Sequence, residues 1–382
     1  MFYKKPIAVK AIFCGIWLSG MVIVSQWYST SVIWMTWLPT TRLVPPSASV
    51  TARLEPGAAK RPSDLCSAAL ANYTAGSSVM RFNIAFLKTH KCASTSVQNI
   101  LFRFGERFNL SFVIPRRGHY FRTSHSMTGY KALPCHDPKC NIFAVHTRWN
   151  HSEISDLMPS DTVYVSMLRE PVSQFKSLYD YVQLERFYGV DINEFVELPA
   201  GRRQERHHKF VGVNQMMWDF GLPSTGMRSE IAIRAKIDQI TAEFDLIMLV
   251  ERFEESLILL KDLMHWGTRE VTYLRLNAAR DQNASHLKPT TKERLHHILL
   301  ADRMLYQHFA GVFDARVRAF GVERMAAEVA QLRAANAALE ASCADRPTED
   351  CCLNRHRGEA LYVDRLRIRE RALRDLDQRS VP

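Results

Sequence analysis

Three apolar runs in this chain end abruptly in charge. Phe82-Asn83-Ile84-Ala85-Phe86-Leu87 stops at Lys88, Thr162-Val163-Tyr164-Val165-Ser166-Met167-Leu168 stops at Arg169, and Asp245-Leu246-Ile247-Met248-Leu249-Val250 stops at Glu251. Short apolar runs bounded by polar residues predict buried strands. Leu110 to Ile114 and Asn141 to Val145 predict two more, the second ending at His146. Between the runs the period changes. Val97, Ile100, Leu101 and Phe104 fall at helical spacing after Ser94 and Thr95, either of which can cap the helix; Phe175, Leu178, Tyr179 and Val182 do so after Pro171, and Phe253 to Leu263 makes a third amphipathic helix. Alternating strands and helices predict an α/β fold with a parallel central sheet flanked by helices, whose ligands lie beyond the carboxyl ends of the strands. Lys88, His146 and Arg169 all stand at such ends, so one site should unite them.

The turn after the first run, Lys88-Thr89-His90-Lys91, is rich in cations and leads into hydroxyls. The first N–H groups of a helix lack internal partners, so a basic turn entering a helix makes an anion site, with phosphate as the natural guest. No glycine stands between Gly76 and Gly105, which disfavours ATP and GTP, whose loops need glycines to wrap the phosphates. A solvated Lys/His-rich loop is the plainer alternative.

Length and charge add little by themselves. The 382 residues suit one large α/β domain with additions, and a formal charge of +11 favours anionic partners such as nucleotide cofactors, nucleic acid, acidic glycans or anionic membrane surfaces. Residues 11–38 carry no charge and end in Trp27, Tyr28, Trp34 and Trp37, which predicts a transmembrane anchor. Lys4, Lys5 and Lys10 put residues 1–10 in the cytosol, a single-pass type II arrangement; a cleaved signal peptide is the alternative. Residues 39–78 read as a stem, 79–343 as the folded domain and 344–382 as a charged tail.

Sequons at Asn72, Asn109, Asn150 and Asn283 suit a glycosylated lumenal protein. Beyond the span stand Cys66, Cys92, Cys135, Cys140, Cys343, Cys351 and Cys352; if Cys92 is free, three bridges remain. Cys135, His136, Asp137 and Cys140 have the makings of a zinc site, but with no second ligand pair of matching spacing a small disulfide loop is favoured. Met325, Val329, Leu332, Asn336 and Leu339 alternate by four and three, which implies either a short coiled coil, and so a homodimer, or a helix packed on its own domain.

The stretch Lys88-Thr89-His90-Lys91-Cys92-Ala93-Ser94-Thr95-Ser96 resembles the 5′-phosphosulfate loop of Golgi sulfotransferases, most closely that of the galactose-3-O-sulfotransferase family. The family pattern is close to Lys-Thr-His-Lys-Thr-(Ala/Gly)-Ser-Ser-Thr; Cys92 replaces the second threonine, while Thr95 and Ser96 exchange identities. Arg169 and Ser177 match the arginine and serine with which sulfotransferases hold the 3′-phosphate of the donor, with Glu170 where the family usually has Asp. The block from Asp245 to Asp281 extends a likeness that covers roughly residues 81–343.

The resemblance implies a P-loop-like sulfotransferase fold behind the anchor, held in the Golgi membrane with the catalytic domain lumenal. It implies 3′-phosphoadenosine 5′-phosphosulfate (PAPS) as donor, no metal, and transfer to the 3-hydroxyl of a terminal β-galactose. Galactosylceramide leads the acceptors, with glycoprotein glycans or heparan and chondroitin chains as alternatives; a non-catalytic glycan- or nucleotide-binding relative is the alternative of another class. Nucleic acid is not among the implied partners. Lys88 is the implied cation for charge on the leaving phosphate. Thr89, His90, Lys91, Cys92, Ala93, Ser94, Thr95 and Ser96, with Arg169 and Ser177, would bind the donor. Two histidines are candidate bases, suited by a near-neutral pKa: His90 in the loop, and His146 in Val145-His146-Thr147-Arg148-Trp149, which resembles the family's His-(Met/Thr)-Arg-Phe segment. His119 and His125 are further acceptor-site candidates.

Overall fold

The computed structural model describes residues 79–121, 132–135, 138–274 and 287–380. Its sheet has four parallel strands, β1 (Ile84–Leu87), β2 (Ile142–Phe143), β3 (Val163–Leu168) and β4 (Leu246–Leu249), in the order β2-β1-β3-β4. Ile84 pairs with Val163 and Leu87 with Ser166, so β1 and β3 end side by side. The helices that carry or support the site are α1 (Ser94–Arg107), α2 (Pro171–Tyr181), α3 (Gln215–Asp219), α4 (Phe253–Leu263), α5 (Leu300–Phe320), α6 (Val322–Asp345), α7 (Asp350–His356) and α8 (Glu359–Ser380).

Strand β1 lies between two neighbours with both faces covered, which is why it reads as an unbroken apolar run. The two weaker runs contribute less than expected. Leu110 to Ile114 makes a single bridge, Phe112 to Ile142, and only Ile142–Phe143 of the next run joins the sheet. Asn141, just before β2, ties the two runs together: its side chain accepts from the Ser111 N–H and hydroxyl at 3.0 and 2.9 Å, beside the backbone bonds that Asn141 N and Ile142 N donate to Ser111 O. Gly105 lets this layer close on α1, since a Cβ there would stand 2.3 Å from the Phe112 ring.

Several expectations need correction. The segment between β1 and α1 is no glycine-rich P-loop: it turns through Lys91 (φ 59°) and Ala93 (φ 49°), left-handed positions filled by residues with side chains. The anchor over residues 11–38 falls outside the described residues, and among those described no helix is long and apolar enough to cross a membrane. The membrane partner, type II topology and Golgi placement drawn from that anchor therefore lose their structural basis and are set aside. The coiled-coil seam of Met325, Val329, Leu332 and Leu339 is buried against the same chain on α6, and Asn336 accepts from the Tyr273 N–H at 3.0 Å, so these positions offer no exposed dimer stripe.

The charged segment from residue 344 is built into the body of the fold. Tyr362, Val363 and Leu366 of α8 enter the main core, the Tyr362 hydroxyl donates to Glu106 of α1 at 2.7 Å, and Arg367 and Arg369 donate to the carbonyls of Pro115 and Leu110. The charges that made the segment look solvated are largely matched to backbone carbonyls and to acids. Cys343–Cys352 ties α6 to α7, Cys351 is also disulfide-bonded, and Cys135–Cys140 forms the small loop that replaces the zinc alternative.

Candidate active site

Helix α1 begins with no side-chain cap and no acid in its first turn, so its N-terminal N–H groups face the loop without a protein anion. Lys91 and Ala93, on either side of Cys92, are left-handed, the backbone alternation found in anion-binding nests. Thr95 and Ser96 are half-buried in that first turn. Thr89 and Ser94 brace the loop instead: the Thr89 hydroxyl donates to Met167 O at 2.5 Å and that of Ser94 to Thr89 O at 2.8 Å. Cys92 is free and buried, its thiol 3.4 Å from His90 O and pushed up by burial, which excludes it from any bridge.

His90 is held by a carboxylate that the sequence did not reveal. Its backbone N–H donates to Asp219 Oδ2 at 2.9 Å, and Nδ1 lies 2.9 and 3.0 Å from the two carboxylate oxygens. Gln215 steadies Asp219 from one turn earlier on α3 at 2.8 Å, and Gln215 in turn takes hydrogen bonds from Arg206 and from Gly212 N, each at 3.0 Å. A proton on Nδ1 donated to Asp219 leaves Nε2 with a lone pair. Gln174 of α2 adds a hydrogen bond to His90 O at 2.8 Å.

His146 stands against His90 with ring centroids 4.4 Å apart, and Tyr120 lies nearly parallel to both, 4.7 Å from His146 and 6.4 Å from His90. Its surroundings are different. The ring is buried and bonds to the Lys88 backbone, while Nδ1 has no hydrogen-bond partner. Burial, then the nearby charges of Lys88 and His90, hold its pKa well below the ordinary imidazole range. His119 packs on Tyr120 at 4.4 Å with the rings tilted by 52°; His125 lies outside the described residues.

Lys88 is wholly buried, its ammonium 2.5 Å from Glu359 at the start of α8. Burial lowers its pKa, which the Glu359 carboxylate raises in part. On the opposite rim, Arg169 follows β3 and its guanidinium reaches Lys91 O at 3.4 Å, while Ser177 lies half-buried in the second turn of α2. Glu170 caps α2 by accepting from Val172 N and Ser173 N at 3.0 and 2.8 Å, a task an aspartate performs equally well. Lys91 lies over the Tyr181 ring at 3.7 Å. The structure thus gathers Lys88, His90, His146 and Arg169 at one end of the sheet, as their strand-end positions require.

A model of the family "galactose-3-O-sulfotransferase" matches residues 4–362. The chain belongs to that family. Human galactosylceramide sulfotransferase is 34% identical over 292 residues, 72% of this chain and 67% of the relative. Human galactose-3-O-sulfotransferase 2 is 35% identical over 269 residues, 68% of each chain, and mouse galactose-3-O-sulfotransferase 3 is 36% identical over 264 residues, 65% of this chain and 61% of the relative. As a galactose-3-O-sulfotransferase family member the chain is a PAPS-dependent sulfotransferase. The match runs through Glu359 and so takes in the start of α8 as well as the loop.

Sequence reasoning missed Asp219, Glu359 and Tyr120. Asp219 had a readable signal, a lone acid inside Met216-Met217-Trp218-Asp219-Phe220, where a buried carboxylate requires a partner. Glu359 had none, since it sits in a segment crowded with charge. Of the sequons, Asn109 and Asn150 are exposed; Asn72 and Asn283 lie outside the described residues.

Proposed function

We propose that this sulfotransferase moves the sulfuryl group of PAPS to the 3-hydroxyl of a terminal β-galactose, with galactosylceramide or a related glycolipid as acceptor. The observation that carries the reading is the juxtaposition of an Asp219-bound imidazole and the buried Lys88 ammonium at the uncapped start of α1. The Lys91 ammonium, the hydroxyls of Thr95 and Ser96 and the first N–H groups of α1 would hold the phosphosulfate, and Arg169 with Ser177 the 3′-phosphate. The donor supplies an activated sulfuryl group on a phosphate leaving group.

His90 Nε2 takes the proton of the acceptor hydroxyl as that oxygen attacks sulfur, and Asp219 stabilises the imidazolium that results. Lys88 follows charge onto the bridging oxygen as the sulfur–oxygen bond breaks. His146, kept neutral, positions the Lys88 backbone and stacks on His90. The 40% exposed Tyr120 ring lies beside both imidazoles and offers a flat face to the apolar side of a sugar.

The acceptor follows from likeness to galactosylceramide sulfotransferase. Equal likeness to galactose-3-O-sulfotransferases 2 and 3 supports a second reading, a galactose carried on something other than a lipid. Incubating the purified chain with radiolabelled PAPS and galactosylceramide, lactosylceramide, N-acetyllactosamine or desulfated heparan distinguishes them. Label on the galactolipid, absent with Lys88→Ala, is the expected result. Label confined to N-acetyllactosamine selects the second reading, and label confined to heparan overturns both.

A further inference from the structure

The Lys88–Glu359 pair joins the first strand end to the last helix, and its geometry is specific. Glu359 Oε2 meets the Lys88 ammonium at 2.5 Å, while Oε1 accepts from Gln98 Nε2 at 3.2 Å. Gln98, itself buried on α1, is fixed by a second bond to Ala144 O at 2.6 Å. The carboxylate is thus clamped from two sides and only 16% exposed. The other titratable groups around Lys88 do not help it keep a proton. Lys91 and His90 come from its own loop, His146 from the segment after β2 and Tyr120 from the bridge beside it; none of these presents an acid.

We propose that Glu359 is a positioning residue for sulfuryl transfer, keeping the Lys88 ammonium charged and aimed across the head of α1. The inference rests on the role given to Lys88 above. A buried ammonium without a carboxylate tends to give up its proton, and a neutral amine is of no use to a leaving phosphate. Glu359 supplies the missing charge, and α8 supplies Glu359. The C-terminal helix is in this way a working wall of the active site, anchored to α1 by Tyr362 and Glu106 three residues further on.

The test is the pH profile of kcat for the purified full chain and its Glu359→Gln variant, with PAPS and galactosylceramide saturating. Removing the carboxylate lowers the Lys88 pKa further, so the alkaline limb should move to lower pH by about one to three units, with the KM for acceptor nearly unchanged. A merely structural role would depress activity at all pH values and leave the limb in place, and that result overturns the proposal. If the Gln variant does not fold, Glu359→Asp keeps the charge but draws it back by one methylene; a smaller shift in the same direction is expected, and an unmoved limb overturns the proposal. Lys88→Ala separates the two claims: activity surviving in it removes the role of Lys88 itself, whereas a dead Lys88→Ala beside an unshifted Glu359→Gln removes the role of Glu359 alone.

Discussion

Two imidazoles meet at the carboxyl end of β1, and the protein treats them in opposite ways. The His90 side is a relay of matched polar groups: Asp219 on the ring, Gln215 on Asp219, and Arg206 with Gly212 N on Gln215. The His146 side is a dry pocket with an unpartnered Nδ1 and cations for neighbours. The two rings are 4.4 Å apart, so what separates them is their surroundings, not their place in the fold. A carboxylate orients His90 through Nδ1; desolvation holds the His146 pKa well below the ordinary imidazole range.

Breaking the relay should have the largest effect. Asp219→Asn leaves His90 in place but removes the anion that fixes its tautomer, and kcat should fall by about 10²–10⁴-fold, the usual worth of a positioned base. Steady-state kinetics with a melting control checks this. Arg169→Ala leaves both imidazoles intact and should raise the KM for PAPS by roughly ten- to a hundredfold, since a charge-assisted contact contributes about 1.5–3 kcal/mol; donor binding by calorimetry would register the same loss.

A subtler test concerns the support beneath Asp219. Buried Asp302 of α5 accepts from Met216 N and Met217 N at 3.3 and 2.7 Å and so holds α3 in place. Burial pushes its pKa up to about 7 from 3.8. A folded-state value above the unfolded one means that the native state retains the proton longer; its stabilising contribution is complete below about pH 4 and is lost as pH rises through 7. Asp302→Asn is neutral throughout but can accept only one of the two N–H bonds, so its melting temperature relative to the wild type should rise as pH goes from 5 to 7 and level off above, and a constant difference would contradict the assignment. The smallest effect is expected at Cys92, whose thiol faces His90 O inside the loop. Cys92→Thr can donate the same hydrogen bond and should keep activity within about threefold and stability within about 1 kcal/mol, as read by a thermal melt and an activity assay.

What could be read from the chain was what is local. The strand, turn and helix from Ile84 to Arg107 are consecutive, so their pattern announces both an element and a site. The second half of that site arrives from far along the chain. Asp219 lies 129 residues beyond His90 and Glu359 lies 261 beyond Gln98, and neither spacing has any periodic signature. The tail misled for a related reason. Arg367 and Arg369 look solvated in a sequence, but here they serve the carbonyls of Pro115 and Leu110, outside the four-stranded sheet. The weak Leu110 to Ile114 run and the charged C-terminal helix complete one another, and neither is intelligible alone.

Single-turnover kinetics set the two imidazoles directly against each other. His90→Ala and His146→Ala are compared in single turnover with saturating PAPS and galactosylceramide, with and without added free imidazole. His90→Ala should lose about 10²–10⁴-fold and recover in part with imidazole, whereas His146→Ala should stay within about tenfold and show no rescue. The reverse pattern, with loss and rescue both at His146, would contradict His90 as the base.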